Sequence, residues 1–385
     1  MEQEYRLSIF SKILYGFLAV ASAGLNFFFV IKGLADNNTI GGIILSIVLF
    51  TISALLSLYI IKRKVIVSND EVSINGVYGF RRLYINNIKG FRNNGKALII
   101  YPVNDQDRKL KITDYNAISK SEELIQWLKS NVRDLDNEDY EEEKAVILQD
   151  SDLGFTQEER EAKLKKVSVL ALVYSGIVFV LMLISIFFPK SNFVLSMTVF
   201  VFPLIGIALM ALSRGLIRLN IKKKSAYPSI FLGLFFACIA LIIRAFIDTK
   251  ILDFSKVWTP VIVCAIILIG ILSLIILKQA NPTTKGQIVP VVLISTVFSV
   301  GAVQQINREF DGSKPQVFSA SVTDQYIKRG KSTTYHIVIT GWQYHQTPDD
   351  ITVSSNFYDQ ATVGSKVNVN LKEGKLHIPW YYITL

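Results

Sequence analysis

Long uncharged apolar runs constrain this chain more than any other feature. From about Ile13 to Ile31 and from Ile40 to Ile61 the sequence carries no charged residue, and each run is long enough to cross a hydrocarbon core of ~30 Å as a helix. Further runs lie at about Val167–Phe188, Phe193–Leu212, Ser229–Ile247, Val257–Leu277 and Ile288–Val303. The last is short and contains Pro290; taken from Gln287 to Ile306 it gains only neutral polar residues and reaches the ~20 residues that a span needs. The expectation is an α-helical multi-pass membrane bundle of about seven spans. With 51% hydrophobic and 19% charged residues among 385, and a mean hydropathy of +0.38, the chain has too much apolar surface for an ordinary soluble domain. Ala19, Ala21 and Ala23 could mark a signal-peptidase site, but the apolar run continues through Phe27, Phe28, Phe29 and Val30, so an uncleaved anchor is expected.

Orientation follows from lysine and arginine near the span ends. Arg6 and Lys12 precede the first span, Lys62, Arg63 and Lys64 follow the second, and Lys163, Lys165 and Lys166 precede the third. Arg214, Arg218, Lys222, Lys223 and Lys224 link the fourth to the fifth, and Lys278 and Lys285 the sixth to the seventh. All fall on one side, whereas the opposite connections, Ala35–Thr39, Pro189–Asn192 and Asp248–Lys256, hold few positives. The positive-inside rule places the N-terminus in the cytoplasm and, with an odd number of spans in a cytoplasmic (inner) membrane, the C-terminal segment outside.

Arg244 is the one ionised side chain within the body of a span. At a helix centre it would cost ~3 kcal/mol, against about a dozen large apolar residues each returning ~0.3–0.6, so the span still inserts. It reads either as a gate or ion-path residue or, from its place near the outer end, as an arginine whose long stem snorkels to the interface; position favours the second. Asn26, Ser295, Thr296 and Ser299 read as helix-to-helix hydrogen-bond formers. Pro203, Pro260 and Pro290 are scattered singly, unlike the paired broken helices of transporters.

Between the second and third spans the pattern changes. Val65, Val67, Val72 and Ile74 alternate around Asn69-Asp70 and Asn75-Gly76 turns, further strands fit Phe80–Ile85, Ile88–Arg92, Ala97–Tyr101 and Leu110–Thr113, and Asn94-Gly95 marks another hairpin. Ser119 and Glu122 suggest a capping box for a helix that buries Leu124, Ile125, Trp127, Leu128 and Val132. The stretches VIVSNDEVSINGVYGFRRLYINNIKGF, KALIIY, KLKIT and SEELIQWL together resemble the pleckstrin-homology-like (PH-like) domain of bacterial membrane proteins. The resemblance implies a β-plus-helix cytoplasmic insert. It does not carry phosphoinositide binding, because the first strand pair lacks the Lys/Arg signature of eukaryotic relatives.

Arg81, Arg82, Lys89, Arg92, Lys96, Arg108, Lys109 and Lys111 make this insert basic. Arg81, Arg82 and Arg92, with Lys222, Lys223 and Lys224, are the candidate membrane-surface or headgroup contacts, each worth ~1 kcal/mol close to an anionic bilayer. The alternative is a solvated sheet face. The acidic stretch Asp134–Glu161 reads as a flexible linker that is either simply solvated, as acidic linkers more often are, or docked on the basic insert or on Lys222–Lys224. Thr156 and Glu159 make a second capping box, and Glu159/Lys163 and Glu161/Lys165 are spaced i,i+4, which favours a helical stalk running into the third span.

Beyond Arg308 the expected strands are Val317–Tyr326, Thr333–Gln343, Ile351–Ser355, Val367–Leu371 and Leu376–Ile383, with turns at Arg329-Gly330, Pro348-Asp349 and Glu373-Gly374. A small β-sandwich or barrel is implied, and the ending resembles small extracytoplasmic β domains appended to bacterial membrane proteins. His336, His345 and His377 fall on different expected elements, so their spacing enforces no metal site. Trp380, Tyr381 and Tyr382 fit either a membrane interface or a β core.

The division is then a two-helix hairpin (1–61), the PH-like domain (62–133), an acidic linker and stalk (134–166), a five-helix region (167–306) and an all-β domain (307–385). No His-Glu-x-x-His, Gly-x-Ser-x-Gly or phosphate-cradling glycine loop occurs. Cys238 and Cys264 lie inside apolar runs and form no disulfide framework. The expectation is a non-enzymatic protein without cofactor, whose partners are membrane lipid and other proteins and not nucleic acid. The alternatives are a transporter or channel formed by the bundle and, third, a membrane enzyme acting through the outer histidines.

Overall fold

The computed structural model describes residues 2–385 apart from 36–38, 78, 188–192, 223, 280–283 and 331–332. The expected connections around Ala35–Thr39 and Pro189–Asn192, and Lys223, therefore lie wholly or partly outside the described residues. The chain forms two compact units, Met1–Val146 with Lys223–Ala226, and Ile147–Lys222 with Tyr227–Leu385. Among the described residues six helices are long and apolar enough to cross a membrane, and a further apolar helix, Phe231–Ile247, is shorter.

The first unit opens with a strand that sequence reading missed. Strand β1 (Gln3–Arg6) leads into helices α1 (Ile9–Ala35) and α2 (Thr39–Lys62), which pack on each other, and β2 (Lys64–Val67) follows α2 directly. β1 pairs antiparallel with β2, Tyr5 opposite Val65 and Arg6 opposite Lys64. The helix hairpin is thus inserted between two neighbouring strands of one sheet. That sheet continues through β3 (Glu71–Gly76) and β4 (Gly79–Tyr84) in the order β1-β2-β3-β4, and a second sheet has the order β5-β6-β7 (Ile88–Asn93, Ala97–Pro102, Leu110–Thr113). Helix α3 (Ser121–Asn131) closes the core with Leu124 and Leu128 fully buried against Tyr5, Val65, Val72, Phe91 and Ile112. Burying five or more such side chains at roughly 1.5–3 kcal/mol each is what holds the sheets together.

Three local expectations need correction. Ser119 is not the cap of α3: its N–H and its hydroxyl both donate to the Arg6 carbonyl at 2.7 and 3.0 Å, satisfying the end of β1, and Lys120 takes the capping position with φ 58°. Asn75-Gly76 is not the hairpin turn, because Gly76 still pairs with Gly79, which supplies the positive φ of 107°. The acidic stretch is not a flexible linker: it begins as helix α4 (Leu135–Gln149), nucleated where the Asp134 carboxylate accepts from the N–H groups of Asp136 and Asn137.

In the second unit, α5 (Gln157–Phe187) runs without a break from a stalk into an apolar span, and its N-terminal capping box is formed, with Thr156 and Glu159 bonding each other's backbone N–H. Then come α6 (Phe193–Leu212), α7 (Phe231–Asp248), α8 (Trp258–Leu277) and α9 (Thr284–Glu309). Helix α9 passes through Pro290 without ending, as expected of the extended run. Helix α7 is central, packing on α5, α6 and α9, with Leu234, Ala237, Cys238, Leu241 and Ala245 buried. Helix α8 instead exposes Ile262, Val263, Ile266 and Ile267 along one face, which suits contact with lipid.

The expected sandwich or barrel is a single six-stranded sheet. Its order is β11-β10-β9-β12-β13-β8, with β8 (Lys250–Ile251) from the α7–α8 connection, β9 (Gln316–Arg329), β10 (Thr333–Ile339), β11 (Asp349–Val353), β12 (Lys366–Lys372) and β13 (Trp380–Thr384). The long β9 pairs with β12 through its first half and with β10 through its second, which makes one sheet of the two groups of strands. A short helix α10 (Ser355–Gln360), capped by Ser354, follows β11. The sheet is fixed to α9 by the fully buried Asn307, which donates to the Ile378 carbonyl (2.8 Å) and accepts from the Leu376 N–H (2.9 Å).

Candidate functional site

Strand β4 is the most open strand of the first unit. Every residue from Gly79 to Tyr84 is exposed or half-buried, and among the described residues the strand pairs with β3 alone. Period-two alternation puts Phe80, Arg82 and Tyr84 on the outer face, where the register sets them opposite Asn75, Ser73 and Glu71. There they line a hollow of about 430 Å³ with Glu2, Ile66, Asp70 and Glu71. Arg82 lies 3.7 Å from Glu71 and 5.2 Å from the centre of the Tyr84 ring. Three carboxylates against one guanidinium make the hollow acidic, and the free edge of β4 offers backbone donors and acceptors beside it.

The expected contact residues separate accordingly. Arg81 is on the opposite face from Arg82, across from Ile74; it is exposed and makes no hydrogen bond or ion pair among the described residues. Arg82 faces the acidic hollow, a poor place for an anionic headgroup. Arg92 is taken up internally, donating to Asp139 at 2.7 Å and Asp136 at 2.9 Å. Those bonds, Asp139's first, hold its guanidinium more firmly protonated than usual. The acidic stretch thus docks on the insert, as one of its readings had it.

Lys224 donates to Asn137 (2.7 Å), while Glu143 accepts from the Ser225 hydroxyl (2.6 Å) and the Ala226 N–H (2.9 Å), which lays this segment along α4. Lys222 is exposed and Lys223 lies outside the described residues. Of the six candidates, Arg82, Arg92 and Lys224 thus have partners within the first unit.

Arg244 overturns the snorkelling expectation. Its side chain is fully buried, and its Nη1 donates to the Ser185 carbonyl at 3.4 Å. The reason is packing: α7 is enclosed by α5, α6 and α9, so the stem has protein on every side where sequence reading placed lipid. Near the C-terminal end of α9, Arg308 donates to Ser196 at 3.1 Å and pairs with Glu309. Asn26 accepts from Ser46 across the α1–α2 hairpin (2.7 Å), as expected. Thr296 and Ser299 do not bridge helices; they bond carbonyls of their own helix, at Val292 and Ser295.

The histidines do not converge on a metal site, and no group of three or more potential ligands occurs among the described residues. His336 stacks on Tyr326 (4.7 Å) and contacts Asp350 (3.0 Å); His345 bonds the Thr347 carbonyl (2.9 Å) and His377 occupies a positive-φ turn. Trp380 and Tyr381 are buried and close the β core, bonding Asp311 and Asp349. Sequence reasoning missed Glu2, Asp70, Glu71, Phe80 and Tyr84 as a group. The alternation of Phe80, Arg82 and Tyr84 was the available signal. Comparison of the chain with protein-family models, with curated proteins and with solved structures finds no match.

Proposed function

We propose that this chain is a non-enzymatic multi-pass protein of the cytoplasmic membrane that acts as an interaction or assembly module. It displays a PH-like domain on the cytoplasmic side and a β domain on the other. The PH-like reading is supported by sheets of four and three antiparallel strands closed by one helix. Seven crossings, with α7 as a short one, are supported by the pairing of β8 with β13, which puts the α7–α8 connection and the C-terminal sheet on the same side of the helices. The positive-inside argument then sets that side outside.

The observation that carries the proposal is the open β4 edge beside an acidic, aromatic hollow, on a domain held to the membrane at two adjacent strands. Its chemistry suits a protein segment in extended conformation that adds to β4 and places a basic side chain against Glu71 and Asp70. A photo-crosslinking residue at position 84 of the full-length protein in membranes tests this. A discrete protein adduct that disappears with Glu71→Lys, and does not form from position 111 on β7, is the expected result. Adducts to lipid alone, or the same adducts from both positions, contradict it.

A transporter or channel is the second reading, favoured by Arg244 buried within the helices. Substrate-dependent flux in liposomes that is lost with Arg244→Ala would support it over the first.

A further inference from the structure

We infer that the start of β4, with Phe80 and Arg81, rests in the headgroup layer of the membrane crossed by α2 and binds an anionic phospholipid surface. The apolar span of α2 ends at Lys62 and β2 begins at Lys64. The sheet therefore starts within one residue of the bilayer. Its register carries that level sideways: Lys64 is opposite Asn75, Asn75 is opposite Phe80, and Gly76 is opposite Gly79. With strands ~4.8 Å apart, β4 lies about 10 Å from β2 across the sheet. The headgroup layer adds roughly 5–7 Å on each side of the hydrocarbon core, so the start of β4 lies within or against it.

Swinging away is opposed at two places. On one side Arg6, opposite Lys64, is three residues from the first turn of α1. On the other, Arg63 is only 6% exposed; its guanidinium sits 5.8 Å from the centre of the Tyr59 ring and donates to the Thr113 carbonyl at 2.7 Å. That bond fixes the end of β7 at the same level. Thr113 in turn pairs with Ala97, and Asp114 N–H donates to the Lys96 carbonyl (3.0 Å), which brings the Asn94–Lys96 turn there as well. The membrane-facing end thus brings Lys62, Arg81 and Lys96 together with the Asp114 carboxylate, while Asp136, close to the same turn, accepts from the Asn93 N–H at 2.8 Å and is paired with Arg92.

Phe80 is 54% exposed at this end. In water that ring is unsatisfied apolar surface; among headgroups and upper acyl chains it is buried, while Arg81 on the other face of the strand meets phosphate. The remaining basic residues are elsewhere. Lys89, Arg108 and Lys109 lie at or beyond the opposite strand ends, where Ile88 pairs with Pro102, and Arg82 and Arg92 face carboxylates.

The test uses full-length protein in nanodiscs with an environment-sensitive fluorophore on Phe80→Cys, and the same fluorophore on Asp107→Cys in the β6–β7 loop as the far-end reference. Position 80 is expected to emit blue-shifted relative to position 107 and to be quenched by a headgroup-depth lipid quencher, more strongly in discs containing phosphatidylglycerol than in phosphatidylcholine alone. Arg81→Gln should lower the anionic-lipid preference about fivefold, and inorganic phosphate added to phosphatidylcholine discs should leave the emission unchanged. Equal emission from positions 80 and 107 overturns membrane contact. Equal quenching in both lipids, or the same response to free phosphate, overturns recognition of an anionic bilayer. Neither result bears on the crosslinking at position 84, so the two proposals fail separately.

Discussion

Arg6 lies directly opposite Lys64 in an antiparallel strand pair, although two long apolar helices separate them in the sequence. A membrane hairpin inserted between adjacent strands leaves both of its ends inside the folded domain. The domain is therefore part of the anchor and not a cargo on a leash.

Removing β1 from the core should damage the soluble domain itself. Tyr5 is 3% exposed and Leu7 2% exposed in the same cluster as Val65 and Leu124. Tyr5→Ala is expected to cost about 3 kcal/mol, read as faster proteolysis of the 62–133 region in membranes. Wild-type resistance would show that β1 is dispensable.

Glycines should sort by what their missing side chains would meet. A Cβ at Gly301 would come within 2.8 Å of Leu241 Cγ and 3.1 Å of the Ile242 nitrogen, whereas at Gly270 nothing lies within 4 Å. Gly301→Ala is expected to lower the unfolding temperature of the detergent-solubilised protein, by overpacking of order 1–3 kcal/mol. Gly270→Ala should be neutral or slightly stabilising. Equal effects would contradict the α7–α9 packing.

Arg244 and Arg214 make a second contrast. Arg244 is fully buried and Arg214 is exposed. Arg244→Ala should destabilise by about 3 kcal/mol, since removing a buried charge strands its hydrogen-bond partners. Arg214→Ala should stay within about 0.5 kcal/mol. Matching melting curves would restore the snorkelling arginine.

The β domain should weaken on acidification. Burial pushes the Asp311 carboxyl up, but bonds from the Ser313 hydroxyl and backbone N–H, the Trp380 indole and the nearby Lys372 outweigh it and leave it below its ordinary value of 3.8. A carboxylate with a depressed folded pKa contributes stability that is present above the unfolded value and is lost as pH falls through the folded one. Trp380 fluorescence should thus report loosening as pH drops below about 4. In Asp311→Asn the domain should start about 1–3 kcal/mol less stable and lose this pH response. An unchanged response would place the titrating group elsewhere.

What could be read from the sequence was whatever a local pattern encodes. Alternation defined Leu110–Thr113 to the residue, and the Thr156/Glu159 box marked the start of α5. β1 escaped because four residues before a span are too short to show a period and their partner strand begins only after both helices, at Lys64. β8 has two residues and pairs with the far end of the chain. Arg244 was misread because span length gives depth but not neighbours. The small residues Ala237, Ala240 and Ala245 on the same helix were the sign of close packing on that face. The hollow beside β4 gathers three strands and the N-terminus, which no single stretch of sequence brings together.

The most direct test of the strand–hairpin–strand anchor is a disulfide between β1 and β2. Glu4 and Ile66 are register partners, about 4.5–5.5 Å apart at Cα, a separation that a disulfide spans. Glu4→Cys/Ile66→Cys protein, oxidised in membranes, unfolded and treated with a maleimide polymer, should gain adducts only at the two native thiols, Cys238 and Cys264. Labelling at the introduced cysteines as well would mean that β1 and β2 do not pair, and that the domain is not built into its anchor.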